Sequence, residues 1–336
     1  MTTILCTLYN SLYLDKGLVL YDSLCKNAKD FKLYVLCMDD RCYDVLTSIH
    51  QKYHIPVRLK DLESEDKELL KAKFNRPTSE YCWTCSSAFI KYVLQHFEEQ
   101  ICTYVDADMY FYNDPQILID EMLSIKKSVM VIPHRFPKAT EYLAKTVGKY
   151  CVEFNTFLNT KESLNVLDFW QKRCIECCSN LGDGIHWGDQ KYLEELVQKF
   201  DCVYVCQHNG AGIAPWNITL YYYNENEIIY KPDNKSCSLI FYHFQSISYI
   251  TKSIVDTNID NKADKYFIEN IYKPYLVALD IKKEEVSKKY GIYELIREHP
   301  YKHSKFWFVK KYSLGQYILF LNRKMQGRII LDIRHM

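Results

Sequence analysis

Residues 101–114 read ICTYVDADMYFYND, a run that is uncharged up to Asn113 except for two aspartates set two positions apart. The run from Ile101 to Tyr112 predicts a strand, and its first five residues suit a central, buried one. Side chains on a strand alternate between its faces, so Asp106 and Asp108 are expected on the same side. Two carboxylates placed in this way repel each other unless a divalent cation or a shared proton lies between them. A solvated strand end or helix-capping acids are the commoner interpretation of such a pair, but the apolar and aromatic context favours a metal site.

Strand-like and helix-like patterns alternate on either side of this stretch. The strand-like runs TILCTLY, KLYVLCMDD and IPVRLKD are separated by the helix-like runs YLDKGLVLYDSLCKNA and DVLTSIHQKY, and TCSSAFIKYVLQHF precedes Ile101. This order predicts an α/β fold with a mostly parallel, Rossmann-like sheet and helices on both faces. Ligands of such sheets bind beyond the carboxyl ends of the strands. Asp39, Asp40, Asp106 and Asp108 all fall at predicted strand ends.

Composition and charge narrow the function classes. The 336 residues are 48% hydrophobic, and 43 basic against 42 acidic residues give a net charge of +1, which disfavours nucleic acid as a partner. No apolar run is long enough to span a bilayer, and MTTILCTLYNS is expected to be a first strand and not a signal peptide. The fourteen cysteines are spread through apolar runs, which favours a reduced, cytoplasmic protein. Neither GxGxxG nor GxxxxGK[ST] occurs, so dinucleotide and P-loop sites are disfavoured.

The D-x-D at Asp106 and Asp108, set at the end of a central strand, resembles that of the GT-A fold nucleotide-sugar glycosyltransferases, most closely those of family 8. The resemblance extends from TILCTLYNS through FYHFQS. The chain is also similar to uncharacterised bacterial glycosyltransferases that share EYCWT, GDQKYL, AGIAPWN and FYHF. The resemblance implies a GT-A catalytic domain over residues 1–255 and a helical, basic and aromatic extension over 256–336. It implies a metal-dependent, hexosyltransferase-like enzyme of polysaccharide biosynthesis. Such an enzyme would move a sugar from a nucleotide diphosphate, expected to be UDP, to a glycan or lipid-linked acceptor with retention.

The resemblance also implies site residues. Asp106 and Asp108 would be the D-x-D motif that holds Mn²⁺, and His243 in FYHFQS would complete the metal site; two carboxylates and an imidazole suit Mn²⁺, with Mg²⁺ as the alternative. Asn155 in EFNTFL would lie near the sugar. Asp189 and Gln190 in GDQKYL would act at the reacting centre, although Asp189 is equally well placed to cap a helix.

The nucleotide is expected at the end of the first strand, around Thr7, Tyr9 and Asn10. Asp39 would contact the nucleoside or cap a turn, and Tyr81 would stack on the base or pack against the sheet. The loop QHNGAGIAPWN, with His208, Gly210, Gly212 and Trp216, looks shaped around a sugar, since glycines permit close approach and Trp offers a flat face.

One feature departs from family 8. That family follows the His with a Gly and a Lys-Pro-Trp that contact the phosphates, whereas HFQSISYITK here offers only Lys252. The sequence therefore does not identify the residues that would contact the phosphates.

Two other functions remain as alternatives. A sugar-nucleotide nucleotidyltransferase would carry a Gly- and Arg-rich, Lys-containing signature near its start, which TLYNSLYLDKG lacks. A catalytically silent carbohydrate-binding relative is disfavoured by the intact D-x-D and His243.

The C-terminal segment predicts a location. From His299 onward basic residues are interleaved with aromatic ones, and Asp332 is the single acid. This pattern suits peripheral contact with the inner face of a membrane, or packing on the catalytic domain. The basic residues are Lys302, Lys305, Lys310, Lys311, Arg323, Lys324, Arg328 and Arg334.

Overall fold

The computed structural model describes residues 2–179, 183–293, 295 and 314–336. The strands are β1 Thr3–Tyr9, β2 Phe31–Cys37, β3 His54–Arg58, β4 Ile101–Val105, β5 Met109–Phe111, β6 Val129–Pro133, β7 Tyr150–Leu158, β8 Val203–Val205, β9 Tyr221–Asn224, β10 Glu227–Tyr230, β11 Lys235–Cys237, β12 Phe241–His243, β13 Ser248–Tyr249, β14 Ile254–Asp260 and β15 Arg328–Asp332. The α-helices are α1 Leu14–Asn27, α2 Asp40–Ile49, α3 Leu59–Glu65, α4 Lys67–Ala72, α5 Thr78–His96, α6 Gln116–Ser124, α7 Ala144–Val147, α8 Lys161–Glu176, α9 Leu193–Lys199, α10 Lys265–Phe267, α11 Lys273–Tyr290 and α12 Leu314–Met325.

A seven-stranded sheet with the order β3-β2-β1-β4-β7-β6-β8 forms the centre of the fold. Its neighbouring strands run parallel except around β7, which is antiparallel to both β4 and β6. The prediction of an α/β fold with a mostly parallel sheet is confirmed. Helices pack on this sheet through apolar faces: Leu14, Leu18 and Tyr21 of α1 recur at helical spacing and are buried.

The packing of α8 on β7 fixes the loop that leads into α9. Trp170 of α8 is fully buried and stacks on Phe157 of β7, with ring centroids 5.9 Å apart. Its indole N–H donates to the carbonyl oxygen of Asp189 at 2.9 Å. A rigid, buried side chain therefore determines where the backbone of Asp189 lies.

The predicted single strand from Ile101 to Tyr112 is wrong at its middle. The strand β4 ends at Val105, the chain turns through Asp106–Asp108, and β5 begins at Met109. The reason is a change of partner, because β5 leaves the large sheet and pairs antiparallel with β12. The two aspartates thus lie in a turn between two strands.

The segment after residue 255 is only partly helical. It contains α11 and α12, but also β15, which pairs antiparallel with β14, and residue 255 itself lies inside β14. α11 packs against α1. The basic and aromatic residues between 299 and 313, on which the prediction of membrane contact partly rests, lie outside the described residues. In the described part of the chain, no helix has the length and apolarity that a membrane crossing requires.

Candidate metal centre and its surroundings

Two carboxylates and an imidazole converge at the carboxyl end of β4. The pairing of β5 with β12 sets His243 opposite Met109, next to the turn that carries the aspartates. The Nε2 atom of His243 lies 3.1 Å from Asp108 Oδ1 and 3.7 Å from Asp106 Oδ2. One ligand atom from each of the three residues lies within 4.8 Å of the others. The side chain of His243 is 5% exposed, that of Asp108 17% and that of Asp106 30%, so the group opens to one side.

This donor set fits a divalent cation. Imidazole nitrogen with carboxylate oxygen suits Mn²⁺, and the carboxylates also suit Mg²⁺. The open side leaves room for further oxygen ligands from water or from a bound anion. The D-x-D residues and His243, predicted together from the sequence, are thus brought together by the fold.

Glu153 on β7 is the partner of His243 that the sequence reasoning missed. The Nδ1 atom of His243 lies 2.7 Å from Glu153 Oε2, and Glu153 is fully buried. A carboxylate that accepts from Nδ1–H directs Nε2 toward Asp106 and Asp108, which is how histidine ligands are commonly oriented. The signal was present in the sequence, because Glu153 is the single charged residue in the strand run YCVEFNTFL.

The electrostatics of the group follow from burial and mutual contact. Burial raises the pKa of Asp106 to about 6, with His243 opposing the rise and Asp108 adding to it. Burial also tends to raise the pKa of Asp108, but contact with His243 and the charge of Lys16 outweigh it and hold that pKa below its usual range. The pKa of His243 is raised well above its ordinary value, because the nearby carboxylates outweigh burial. A bound cation would take over the role that the imidazolium proton plays between these acids.

Two further side chains touch the aspartates. The hydroxyl of Tyr104 donates to Asp106 Oδ1 at 3.2 Å. Lys16, near the start of α1, places Nζ 4.0 Å from Asp108 Oδ2. Neither contact was predicted. Lys16 and Asp108 are far apart in the sequence, and Tyr104 and Asp106 face each other only after the turn forms.

Asp189 is buried, and its Oδ2 accepts a hydrogen bond of 2.5 Å from Ser86 Oγ. Its side chain makes no capping hydrogen bond to the helical turn that follows, so the capping alternative does not describe it. Burial raises its pKa to about 7; the Ser86 hydrogen bond opposes this, and the charge of Asp106 adds to it. Gln190 beside it donates through Nε2 to the carbonyl oxygen of Val147 at 2.7 Å.

Asn155 on β7 stands opposite Tyr104 in the sheet register and is fully buried. Neither atom of its amide group has a hydrogen-bond partner within the described part of the chain. An unpartnered buried polar group costs about 1–3 kcal/mol. A ligand that reached this amide would supply the missing partners.

The residues predicted to receive the nucleotide base lie at the end of β1, but mostly inside the protein. Thr7 and Tyr9 are buried, and the Tyr9 hydroxyl lies 3.3 Å from His54 Nε2. Asn10 is partly exposed, and its side chain accepts from the Leu12 N–H at 3.1 Å. Of these three residues, only Asn10 is accessible from the end of the strand.

Asp39 and Tyr81 have internal partners. Asp39 caps α2 by accepting from the Cys42 N–H at 2.7 Å, and it also accepts from the Ser11 N–H at 2.9 Å. Tyr81 is buried, and its hydroxyl donates to Glu63 Oε1 at 2.8 Å. The turn-capping and packing alternatives describe what these two side chains do here, and neither residue joins the metal group.

The glycine loop between β8 and β9 closes one side of the centre. Its Trp216 ring meets the His243 ring edge to face, with centroids 5.4 Å apart, and its indole N–H donates to the His134 carbonyl oxygen at 2.9 Å. Gly212 has a φ of +72°, and a Cβ there would lie 2.8 Å from Glu153 Oε1. The backbone thus approaches the carboxylate that orients His243, which explains the glycine.

No protein-family model matches the chain. The chain is 32% identical over 285 residues to the uncharacterized protein YfnD of Bacillus subtilis strain 168, with 81% of this chain and 87% of the relative covered. It is 29% identical over 286 residues to the uncharacterized protein YfnF of the same organism, with 82% of this chain and 92% of the relative covered.

Among solved structures, the chain aligns with the galactosyltransferase LgtC in complex with donor and acceptor sugar analogs. The TM-score is 0.49 at 11% identity, covering 73% of this chain and 87% of that one. It also aligns with apo mouse xyloside xylosyltransferase 1 at a TM-score of 0.48 and 10% identity, covering 73% and 98%. These neighbours are glycosyltransferases, and their activities are properties of those proteins.

The match to YfnD is of a different kind, because its identity is higher and it spans most of both chains. The chain belongs to the protein family that contains YfnD of Bacillus subtilis.

Proposed function

We propose that this protein is a metal-dependent glycosyltransferase of the GT-A type, similar to family 8. It would transfer a sugar from a nucleotide diphosphate, UDP by preference, to a glycan or lipid-linked acceptor. One observation carries the proposal: Asp106, Asp108 and His243 converge at the carboxyl end of a central strand, with one side open. Residues 1–255 would form the catalytic domain, and 256–336 an extension that packs on it.

Each residue of the centre has a part in this proposal. Asp106, Asp108 and His243 would hold Mn²⁺ or Mg²⁺, which as a Lewis acid stabilises the charge of a diphosphate leaving group. Glu153 orients the imidazole through Nδ1. The unpartnered amide of Asn155 would bind hydroxyl groups of the donor sugar, since an amide offers both a donor and an acceptor.

Asp189 and Gln190 would lie against the reacting sugar. The carboxyl of Asp189 is buried, and its pKa is raised to about 7. A group with such a pKa can accept or donate a proton near neutral pH. We propose that transfer proceeds with retention of the anomeric configuration. NMR of freshly formed product distinguishes the two outcomes, and an inverted anomer would contradict this part.

The test is nucleotide release. Purified full-length protein is incubated with Mn²⁺ and UDP-, GDP- or CDP-sugars, and the freed nucleoside diphosphate is measured with and without EDTA. A glycosyltransferase releases UDP in a metal-dependent manner, and Asp108→Asn should abolish the release. Pyrophosphate formed from a nucleoside triphosphate and a sugar phosphate would instead indicate a nucleotidyltransferase. Sugar binding without release would indicate a silent relative.

A location on the cytoplasmic face of a membrane is part of the proposal. The C-terminal segment that would contact an anionic leaflet carries basic residues outside the cavity described below, such as Lys324 of α12. Flotation with anionic liposomes tests this. Equal recovery of the full chain and of a chain that ends at Glu298 would exclude the membrane contact.

A further inference from the structure

A cavity of about 420 Å³ is lined in part by Lys16, the residue whose Nζ lies 4.0 Å from Asp108 of the candidate metal centre. Its walls come from the start of α1, from the loop after β12 and from the C-terminal hairpin of α12 and β15. Most of the lining comes from residues 12, 13, 15, 16 and 246–249, together with Arg323 and Arg328. The volume lies within the range of small-molecule sites.

The lining of the cavity carries three cationic groups and two carboxylates. Lys16, Arg323 and Arg328 face it, together with the carboxylates Asp15 and Asp256. Arg323 Nε lies 3.2 Å, and Arg328 Nη1 3.5 Å, from the same Oδ2 atom of Asp256. That carboxylate is 1% exposed, whereas each arginine side chain is 28% exposed. One buried acid therefore holds two guanidinium groups in place and leaves part of each open to the cavity.

The cavity adjoins the proposed cation site through Lys16. Lys16 lines the cavity, and its Nζ atom lies 4.0 Å from Asp108 Oδ2. An anion that enters the cavity can thus meet a cation held by Asp108 at one end and the guanidinium groups at the other. One guanidinium group can donate two parallel hydrogen bonds to a phosphate, and a lysine adds a point charge. Ser246 and Ser248 add hydroxyl groups to the same wall.

We propose that this cavity binds the diphosphate of the donor, so that the C-terminal hairpin completes the donor site. Lys16, Arg323 and Arg328 would supply phosphate contacts that the sequence after His243 lacks. The proposal rests on the proposed function for the identity of the nucleotide. Its chemistry, a cationic cavity for a diphosphate, stands on the cavity itself.

The experiment compares three probes on the full-length protein with Mn²⁺: UDP, uridine and inorganic pyrophosphate. Binding is measured by isothermal titration calorimetry for wild type, Lys16→Gln and Arg328→Gln. Each substitution should weaken UDP and pyrophosphate binding by about tenfold or more, because each removes one charged hydrogen-bonding group. Uridine binding should not change, since uridine carries no phosphate.

Lys324→Gln is the matched control. Lys324 follows Arg323 on α12 and carries the same charge, but its Nζ lies over the Phe320 ring, and it does not line the cavity. Its substitution should leave all three affinities unchanged. Lys16→Gln leaves the Asp256 cluster intact, so it tests the cavity even if Arg328→Gln unfolds; the unfolding temperature without ligand checks folding.

The outcomes separate the two proposals. If wild type binds UDP, and if Lys16→Gln and a folded Arg328→Gln bind it equally well, the cavity proposal is overturned and the proposed function stands. If pyrophosphate binding depends on Lys16 and Arg328 but no nucleotide sugar is turned over, the cavity proposal stands and the proposed function falls. If wild type binds neither UDP nor pyrophosphate, both are overturned.

Discussion

Replacement of Glu153 tests whether the centre is organised from behind His243. Glu153 is fully buried, and its Oε2 lies 2.7 Å from His243 Nδ1. In Glu153→Gln the side chain keeps its shape, and its amide oxygen still accepts from Nδ1–H, but the charge is lost. A hydrogen bond to a charged group contributes about 1.5–3 kcal/mol and a neutral one about 0.5–1.5. The difference of about 1 kcal/mol predicts a loss of Mn²⁺ affinity of roughly fivefold.

Glu153→Leu removes the acceptor altogether. The Nδ1–H group of His243 is then buried without a partner, and the ring is free to turn away from Asp106 and Asp108. Loss of such an orienting carboxylate typically costs about 10–100-fold in metal affinity. The expected order of Mn²⁺ affinity is therefore wild type, then Glu153→Gln, then Glu153→Leu.

The assay is the electron paramagnetic resonance signal of free Mn²⁺ during titration, which needs no substrate. Glu63→Gln is the matched control, because Glu63 is also buried and accepts a hydrogen bond, but from Tyr81, away from the centre. It should bind Mn²⁺ like wild type. Folded Glu153→Leu protein with the affinity of wild type would refute the reasoning.

Three further predictions concern the site and the fold. Asp108→Asn should lower Mn²⁺ affinity by more than ~100-fold and, because metal and nucleotide binding are linked, weaken UDP binding as well. Asp114→Asn is the control, since Asp114 accepts from the Gln116 N–H near the start of α6, and it should change neither affinity in the same titrations. Asp189 has a folded-state pKa of about 7, above its ordinary 3.8, so its favourable contribution to stability is complete below pH 3.8 and is lost as the pH rises through 7. Urea unfolding at pH 5 and pH 8 should therefore show Asp189→Asn gaining on wild type at the higher pH by about 3 kcal/mol, because about two pKa units of the shift lie between pH 5 and pH 7. A constant difference would contradict this. Gly210→Ala should lower the unfolding temperature markedly, because its Cβ would lie 1.8 Å from a backbone carbonyl oxygen, and an unchanged temperature would show that the loop moves freely.

The sheet and the position of Asp106 and Asp108 at the end of a strand were predictable because their signals are local. Apolar runs of strand length alternate with amphipathic helices, and Asp106 and Asp108 follow directly on one such run. His243 came from a resemblance of motif and not from periodicity. Its place beside Asp108 depends on the pairing of β5 with β12, which joins segments more than a hundred positions apart.

The break between β4 and β5 was not predictable for the same reason. The residues on both sides have strand character, and only a distant partner strand decides where the chain leaves the sheet. The cationic cavity is a similar case. Arg323 and Arg328 look like part of a basic surface in the sequence, and only the pairing of β14 with β15 brings them to Asp256 and Lys16.

The reversed direction of β7 has a consequence for how this site can change. Parallel strands deliver their last residues to the ligand edge of a sheet, whereas an antiparallel neighbour delivers its first residues there. Glu153 therefore reaches the centre from the early half of β7, while Phe157 near its end packs on Trp170. Substitutions early in this strand would alter ligand recognition, and those late in it would alter stability. A one-residue slip would turn Glu153 away from His243, so the register of this strand and the orientation of the imidazole would change together.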